Sequence, residues 1–200
     1  MLIPTGYLNH FDPNTGHIKG TIPLERRLSQ LEGCFADEAS YRAALTAQGD
    51  PVVYSVSSLE LGSGDGDLHI GIGKIMPGRV GDEYFLTKGH LHAWRAAAEI
   101  YIGLTGEGMM LLEGESGELT TVPLTPQSLV YVPGHTAHRT VNTGSQALTY
   151  LGIYPAKAGH DYGSIAANNF QQVVMDVNGQ AVVIRRAAFL ETLLSAAPRA

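Results

Sequence analysis

Two short stretches hold the residues whose types and spacing can do chemistry. The first, TKGHLHAWRAAAEIYIG (87–103), places His90 and His92 one residue apart and Glu99 seven positions further on. The second, VPGHTAHRTVN (132–142), runs from a Pro133–Gly134 turn into His138, Thr140 and Asn142. Successive side chains on a strand point to opposite faces, so His90 and His92 share a face, as do Glu99 and Tyr101. If that face lines the inside of a barrel, His90, His92, Glu99, Tyr101 and His138 converge on one cavity. Three imidazoles and a carboxylate make a donor set of borderline hardness, suited to Fe(II), Mn, Co, Ni or Zn. Calcium and magnesium sites prefer oxygen throughout. Four protein ligands on an octahedral ion leave two positions for substrate oxygens, which is a catalytic arrangement and not a closed structural one.

The plainer alternative is that a lone His-x-His is only a polar strand face. Glu99 in strand register and His138 after a Pro–Gly turn favour the metal. His135 competes with His138, but its turn position suits the surface or a place behind the ligands. His10, His17 and His69 stand in polar, turn-like contexts and are expected to be solvated. The same expectation covers Glu107, Glu113, Glu115 and Glu118.

The elements that must position these residues read as mostly strands. DEASYRAALTAQG (37–49) is a helix with Asp37 as its cap, Tyr41 and Leu45 on one face, and Gly49 as its stop. From VVYSVSSLEL onward, short alternating runs are punctuated by Gly, Pro and Asp. EIYIGLTGEGMMLLEGESGELTTVPL reads as a pair of strands joined near Gly106–Glu107–Gly108, and three more strands follow. VVMDVNGQAVVI is a hairpin, with Asn178–Gly179 as its type I′ turn. AAFLETLLSAAPRA, at the end, is weakly helical. Many strands at this spacing predict an all-β barrel or sandwich with a few short helices. The 200 residues are read as one domain: an extension over 1–50, a barrel over about 50–185, and a tail over 186–200.

Net charge of −6 argues against a nucleic-acid surface, which needs clustered Lys and Arg, but leaves room for a locally positive pocket. Cys34 is the single cysteine, so no disulfide framework exists. No apolar run approaches a membrane span and the first residues lack a leader pattern, so a cytoplasmic protein without membrane partners is expected.

The histidine and glutamate motifs resemble those of the cupin superfamily, G-x5-HxH-x3,4-E-x6-G and G-x5-PxG-x2-H-x3-N. His90, His92, Glu99 and Gly106 match the first; Pro133, His138 and Asn142 match the second. The chain departs in three places. Tyr84 replaces the first glycine, Gly134 comes one residue early, and six residues (AWRAAA) separate His92 from Glu99. That insertion, with PGRVGDEYFLTKGHLHA, AEIYIGLTGEG, LVYVPGHTAHRTVN and LGIYPAKAGHDYG, resembles the cupin-type glucose-6-phosphate isomerases of archaea and some bacteria. The likeness covers roughly residues 50–185.

The resemblance implies a double-stranded β-helix (jelly-roll) barrel acting as a homodimer. It implies one divalent metal per subunit, Fe(II) first, on His90, His92, Glu99 and His138. Sugar-phosphate contacts would fall on Tyr54, Thr87, Gly89, Tyr101, Tyr154, His160 and Tyr162. The family has a phosphate-contacting threonine where this chain has Gly73, and backbone N–H groups or Lys74 are the expected substitutes. Lys88, by strand alternation, is expected to face solvent.

The implied reaction interconverts glucose 6-phosphate and fructose 6-phosphate, a step of glycolysis and gluconeogenesis. A proton moves between C1 and C2 through an enediol, which a divalent ion would stabilise. Glu99 would relay that proton, with Tyr101 and His138 beside it; a hydride shift, needing no base, stays open. Other readings of the same residues are an Fe(II) dioxygenase and a non-catalytic sugar-binding cupin.

Overall fold

The computed structural model describes residues 6–196; residues 1–5 and the last four of the expected tail lie outside the described residues. In chain order, β1 (Phe11–Asp12) and β2 (His17–Ile18) pair as a small hairpin, and β3 (Leu24–Arg27) leads towards α1 (Glu38–Gln48). The barrel strands follow: β4 (Val52–Glu60), β5 (Leu68–Ile75), β6 (Arg79–Val80), β7 (Glu83–Tyr84) and β8 (Glu99–Thr105). After these come β9 (Gly108–Gly114), β10 (Leu119–Leu124), β11 (Leu129–Val132), β12 (Thr136–Asn142) and β13 (Leu148–Pro155). The chain closes with α2 (Gly163–Asn168), the hairpin β14 (Gln172–Val177) and β15 (Gln180–Arg185), and α3 (Arg186–Ala196).

One antiparallel sheet has the order β11-β8-β13-β5-β4-β3, and a second has the order β10-β9-β12. The extended stretch 85–92 lies beside β12 through the bridges Leu86↔Val141 and His90↔His138. That stretch follows β7, which pairs with β14 in a third sheet, β15-β14-β7-β6. This is an all-β jelly roll with short peripheral helices, as expected. Val53, Ile75, Met110, Leu124, Val141 and Leu148 are fully buried in its core. Each such side chain contributes about 1.5–3 kcal/mol by leaving water.

Local chemistry explains the elements that the sequence made plain. Asp37 has extended backbone and its carboxylate accepts the Ala39 N–H at 3.0 Å, satisfying an otherwise orphaned helix donor. Gly49 ends α1 in the left-handed region, with its N–H on the Leu45 carbonyl. Asn178 and Gly179, both at positive φ, make the tight turn of the last hairpin.

Elsewhere the tertiary structure overrides local reading. β8 and β9 were expected as a pair joined at Gly106–Gly108, yet they enter different sheets, β8 between β11 and β13 and β9 between β10 and β12. GESGEL is the turn that makes a true hairpin, β9–β10. Glu113 was expected to be solvated but is buried, because the C-terminal hairpin brings the Gln171 N–H to its carboxylate at 2.7 Å. His69 is half-buried, with Nε2 on the Gly62 carbonyl and its ring edge-on to Tyr154. His17 is likewise half-buried on the Thr21 carbonyl, whereas His10 is exposed as expected.

Because the Asp37 carboxylate meets only the local Ala39 N–H and Ser40 hydroxyl, Asp37→Ala should cost about 1 kcal/mol. Urea unfolding would register this as a lower midpoint at unchanged slope; an unchanged midpoint would remove the cap from the account.

Candidate metal centre

The site begins with two backbone hydrogen bonds. His90 N–H donates to the His138 carbonyl at 3.1 Å and His138 N–H donates to the His90 carbonyl at 3.0 Å. This exchange sets the two imidazoles side by side, with ring centroids 4.3 Å apart. His92 follows two residues later on the same face, its ring 5.3 Å from that of His138. Glu99 opens β8 and points inward, as its alternating burial with Ile100 and Ile102 requires. One donor atom from each of His90, His92, Glu99 and His138 lies within 4.8 Å of the others.

The hydrogen bonds behind these rings fix their tautomers. His92 Nδ1 is 3.0 Å from the Ala97 carbonyl, and His138 Nδ1 is 3.1 Å from the Thr136 carbonyl. A carbonyl oxygen only accepts, so each Nδ1 carries the proton and each Nε2 presents its lone pair inward. Those Nε2 atoms sit 3.3 and 3.2 Å from Glu99 Oε2 without hydrogen-bond geometry, and His90 Nε2 is also buried without a partner. Lone pairs facing a carboxylate in a dry site repel one another unless a cation stands among them. The donor set therefore fits a divalent transition ion. Burial and the neighbouring imidazoles push His90 well below its usual range, keeping it neutral.

Three of these donors, His90, Glu99 and His138, line a cavity of about 280 Å³. Every sequence-predicted contact residue (Tyr54, Thr87, Gly89, Tyr101, Tyr154, His160 and Tyr162) lines it. Tyr101 is buried two residues along β8 from Glu99, its ring 5.8 Å from that of His138. His160 lies 4.4 Å from His90 between centroids and stacks on Tyr162. Tyr154 edges onto His160; burial pushes its hydroxyl up to about 12, so it remains a donor. The loop that carries these rings is tied to the histidine stretch through paired Leu91 and Asp161 backbones. Thr87 accepts the Thr140 N–H on its hydroxyl at 3.1 Å. Tyr54 is also pushed up to about 12 by burial, partly offset by the Lys88 N–H.

The insertion AWRAAA, which broke the motif spacing, is built into the site. It supplies the Ala97 carbonyl that orients His92, and Arg95 pairs with Asp161 at 2.5 Å and Glu115 at 2.9 Å. Glu115 also meets the exposed His135, which is not a ligand.

Lys88 is a correction. It was expected to face solvent, yet it is half-buried and lines the cavity with Arg26. Gly89, at φ +70° and with no room for a Cβ against the Phe170 ring at 2.4 Å, breaks the alternation on which that expectation rested. Arg26 was missed because it comes from an edge strand of the N-terminal extension, where nothing in its neighbours marks a site. Tyr150 and Gly152 were missed although alternation in LTYLGIYP puts them on the same face as Tyr154. Gly152 leaves open the volume that the Glu99 carboxylate occupies, since a Cβ there would stand 2.7 Å from Oε1. Lys74, a suggested substitute at the phosphate end, packs against Gly16 and does not line the cavity.

A jelly-roll barrel with three imidazoles and a carboxylate gathered inside it defines a cupin with a metal-type donor set. The glucose-6-phosphate isomerase (GPI) family model matches residues 25–189. A glucose-6-phosphate isomerase of Pyrococcus horikoshii is 47% identical over 173 residues, covering 86% of this chain and 91% of that one. One of Thermococcus kodakarensis is also 47% identical, covering 86% and 90%. A putative glucose-6-phosphate isomerase 2 of Rhizobium meliloti is 38% identical, covering 84% of each. The chain belongs to the glucose-6-phosphate isomerase family of cupin type. A solved oxalate oxidase overlays 56% of the chain at a TM-score of 0.48 and 15% identity, too partial a likeness to bear on what the cavity binds.

If the four donors hold one ion, protein loaded with Fe(II) or Mn should carry about one metal per chain by elemental analysis, and His138→Ala should carry little. Chelation should lower the thermal midpoint of the wild type, because binding to the folded state alone stabilises it. Equal metal content in His138→Ala and wild type would remove that residue from the centre.

Proposed function

We propose that this protein is a metal-dependent glucose-6-phosphate isomerase, converting glucose 6-phosphate and fructose 6-phosphate into one another as a step of glycolysis or gluconeogenesis. One observation carries the reading. In a chain of this family, the buried quartet of His90, His92, Glu99 and His138 opens onto a cavity whose other lining residues include hydroxyls and two cations. Fe(II) is the ion we assign first; Mn, Ni, Co and Zn suit the same donors.

When bound, the ion would supply Lewis-acid polarisation of the oxygens at C1 and C2. The chain's own residues account for the remainder. Glu99, the carboxylate among the donors, can take the proton from one of these carbons and return it to the other. Tyr101 stays protonated, because burial and the adjacent Glu99 push its hydroxyl far above the usual range, and it donates to a sugar oxygen. His138 completes the catalytic group, its Nε2 standing 3.2 Å from Glu99 Oε2. Tyr154 and His160 close the cavity over the metal end. Thr87, the Gly89 N–H, Tyr54 and Tyr162 receive the phosphate, and Arg26 and Lys88 offset its charge within an acidic protein.

A coupled assay for glucose 6-phosphate formed from fructose 6-phosphate tests this directly. Turnover should vanish on chelation and return with a divalent ion. Glu99→Gln should lose about 10²-fold or more of kcat; no turnover by metal-loaded wild type would sink the assignment.

The same reading takes the protein as a cytoplasmic homodimer that binds neither membrane nor nucleic acid. Among the described residues no helix is long and apolar enough to cross a membrane. Leu129 and Tyr131 stand 66% and 60% exposed on edge strand β11, an apolar strip of the kind that a second copy covers. Sedimentation equilibrium should then give twice the 21.3 kDa chain mass; a single-chain mass at working concentration would rule the dimer out.

A further inference from the structure

One polar ring in the cavity has no role in the scheme above. Tyr150 lies on β13 opposite Gly73 of β5. A Cβ at position 73 would stand 2.3 Å from the Tyr150 Cζ and 2.4 Å from its hydroxyl oxygen. The phenol end therefore fills the volume that a side chain at 73 would take, and glycine at 73 is what admits it. Both residues line the cavity, and the Tyr150 ring packs 5.3 Å from that of Tyr101.

The position of the hydroxyl follows from its neighbours. Tyr150 stands two residues along β13 from Gly152, which abuts the Glu99 carboxylate, and it shares the cavity wall with Thr140; the Thr140 N–H reaches the Thr87 hydroxyl, and its carbonyl accepts the Thr87 N–H at 2.9 Å. Along β12, Thr140 stands two residues beyond the ligand His138, about 7 Å at strand rise. The Tyr150 hydroxyl thus belongs to the Thr87 end of the cavity, away from the metal donors. A sugar phosphate held by its C1 and C2 oxygens at the metal must extend its phosphate towards that end. A phenol both donates and accepts, so its O–H can be given to a ligand. Burial pushes Tyr150 well above the ordinary tyrosine range, which keeps its proton in place as a donor.

We propose that Tyr150 is a substrate-binding residue whose hydroxyl donates a hydrogen bond to the substrate's phosphate, from the volume a side chain at 73 would otherwise occupy. The proposal rests on the isomerase reading and deepens it. The bare glycine at 73 is then no lost contact, since the opposite strand delivers a hydroxyl to the same place.

Tyr150→Phe removes that oxygen and nothing else. In metal-loaded protein it should raise KM for fructose 6-phosphate about tenfold or more, as expected for a lost bond to a charged group, while kcat changes less than twofold. Calorimetric binding of gluconate 6-phosphate, a non-isomerisable analogue, should weaken by the same factor, and binding of unphosphorylated gluconate should not change. Gly73→Ala, whose methyl must displace the phenol, should reproduce the loss of affinity for the phosphorylated ligand. Wild-type turnover with KM and analogue affinity unaltered in Tyr150→Phe overturns the Tyr150 contact and leaves the isomerase standing. Equal weakening of gluconate and gluconate 6-phosphate also overturns it, by marking a general change of the cavity. Wild-type protein that binds the analogue without turnover defeats the isomerase reading, and the analogue comparison still decides Tyr150. Wild-type protein that does neither defeats both.

Discussion

The two hydrogen bonds exchanged by the His90 and His138 backbones are the constraint on which the rest of the site depends. They join the stretch 85–92 to β12, and those two segments are separated in sequence by β8, β9, β10 and β11. Without that bridge the imidazoles would belong to different parts of the molecule. With it, His92 and Glu99 need only ordinary strand geometry to complete the donor set. The arrangement is costly to bury. Three Nε2 atoms stand in the interior without protein partners, and each such group costs about 1–3 kcal/mol if nothing answers it. A divalent cation among them would answer all three at once.

Orientation comes from carbonyls that the sequence motif does not name. The Thr136 carbonyl lies two residues before His138, a consequence of how β12 begins. The Ala97 carbonyl belongs to the insertion between His92 and Glu99, which is why added residues there do not loosen the centre. Arg95 ties the same insertion to Asp161, next to His160 and Tyr162. One short segment thus aims the His92 ring and anchors the loop that carries His160 and Tyr162. Shifting Arg95 would disturb both ends together, since its guanidinium also donates to the His92 carbonyl, although it does not line the cavity.

Much of this was legible in the chain. The capped helix at 37–49 and the Asn178–Gly179 hairpin follow from residue type and spacing, because each depends on neighbours close in sequence; the donor quartet was legible in its two motifs, although a long-range bridge brings them together. The failures share a physical cause. Pairing of β8 with β11 and β13, not with β9, depends on closing a barrel, and no local preference encodes that. Glu113 carries the composition of a solvated turn, yet a hairpin from the far end of the chain covers it. Lys88 was placed by an alternation that Gly89 interrupts. Arg26 enters from a segment whose own residues say nothing about the cavity. Tyr150 differs from these, since its face was set by alternation with Tyr154; its meaning needed the knowledge that Gly73 lies across the sheet.

Glycine is the means by which the cavity acquires chemistry. Gly152 cedes its volume to the Glu99 carboxylate and Gly73 cedes its volume to the Tyr150 phenol, each across a strand pair. Gly89 instead bends the chain where a Cβ would collide with Phe170, keeping Thr87 and Lys88 on the cavity wall. In each case the absent side chain lets a polar group approach from elsewhere, so the polar lining is assembled from residues remote in sequence. That also explains how a protein with a net charge of −6 can attract an anion. On the cavity wall one carboxylate is Glu99, gathered with the imidazoles, and the positive groups are Arg26 and Lys88. Glu60 is the remaining acid on the lining, at the end of β4. It lies four residues along the strand from Val56 and six from Tyr54, so its charge is separated from the Tyr54 end by about 20 Å at strand rise. The field within the cavity is therefore set by where these few groups stand, and the overall charge of the protein has little part in it.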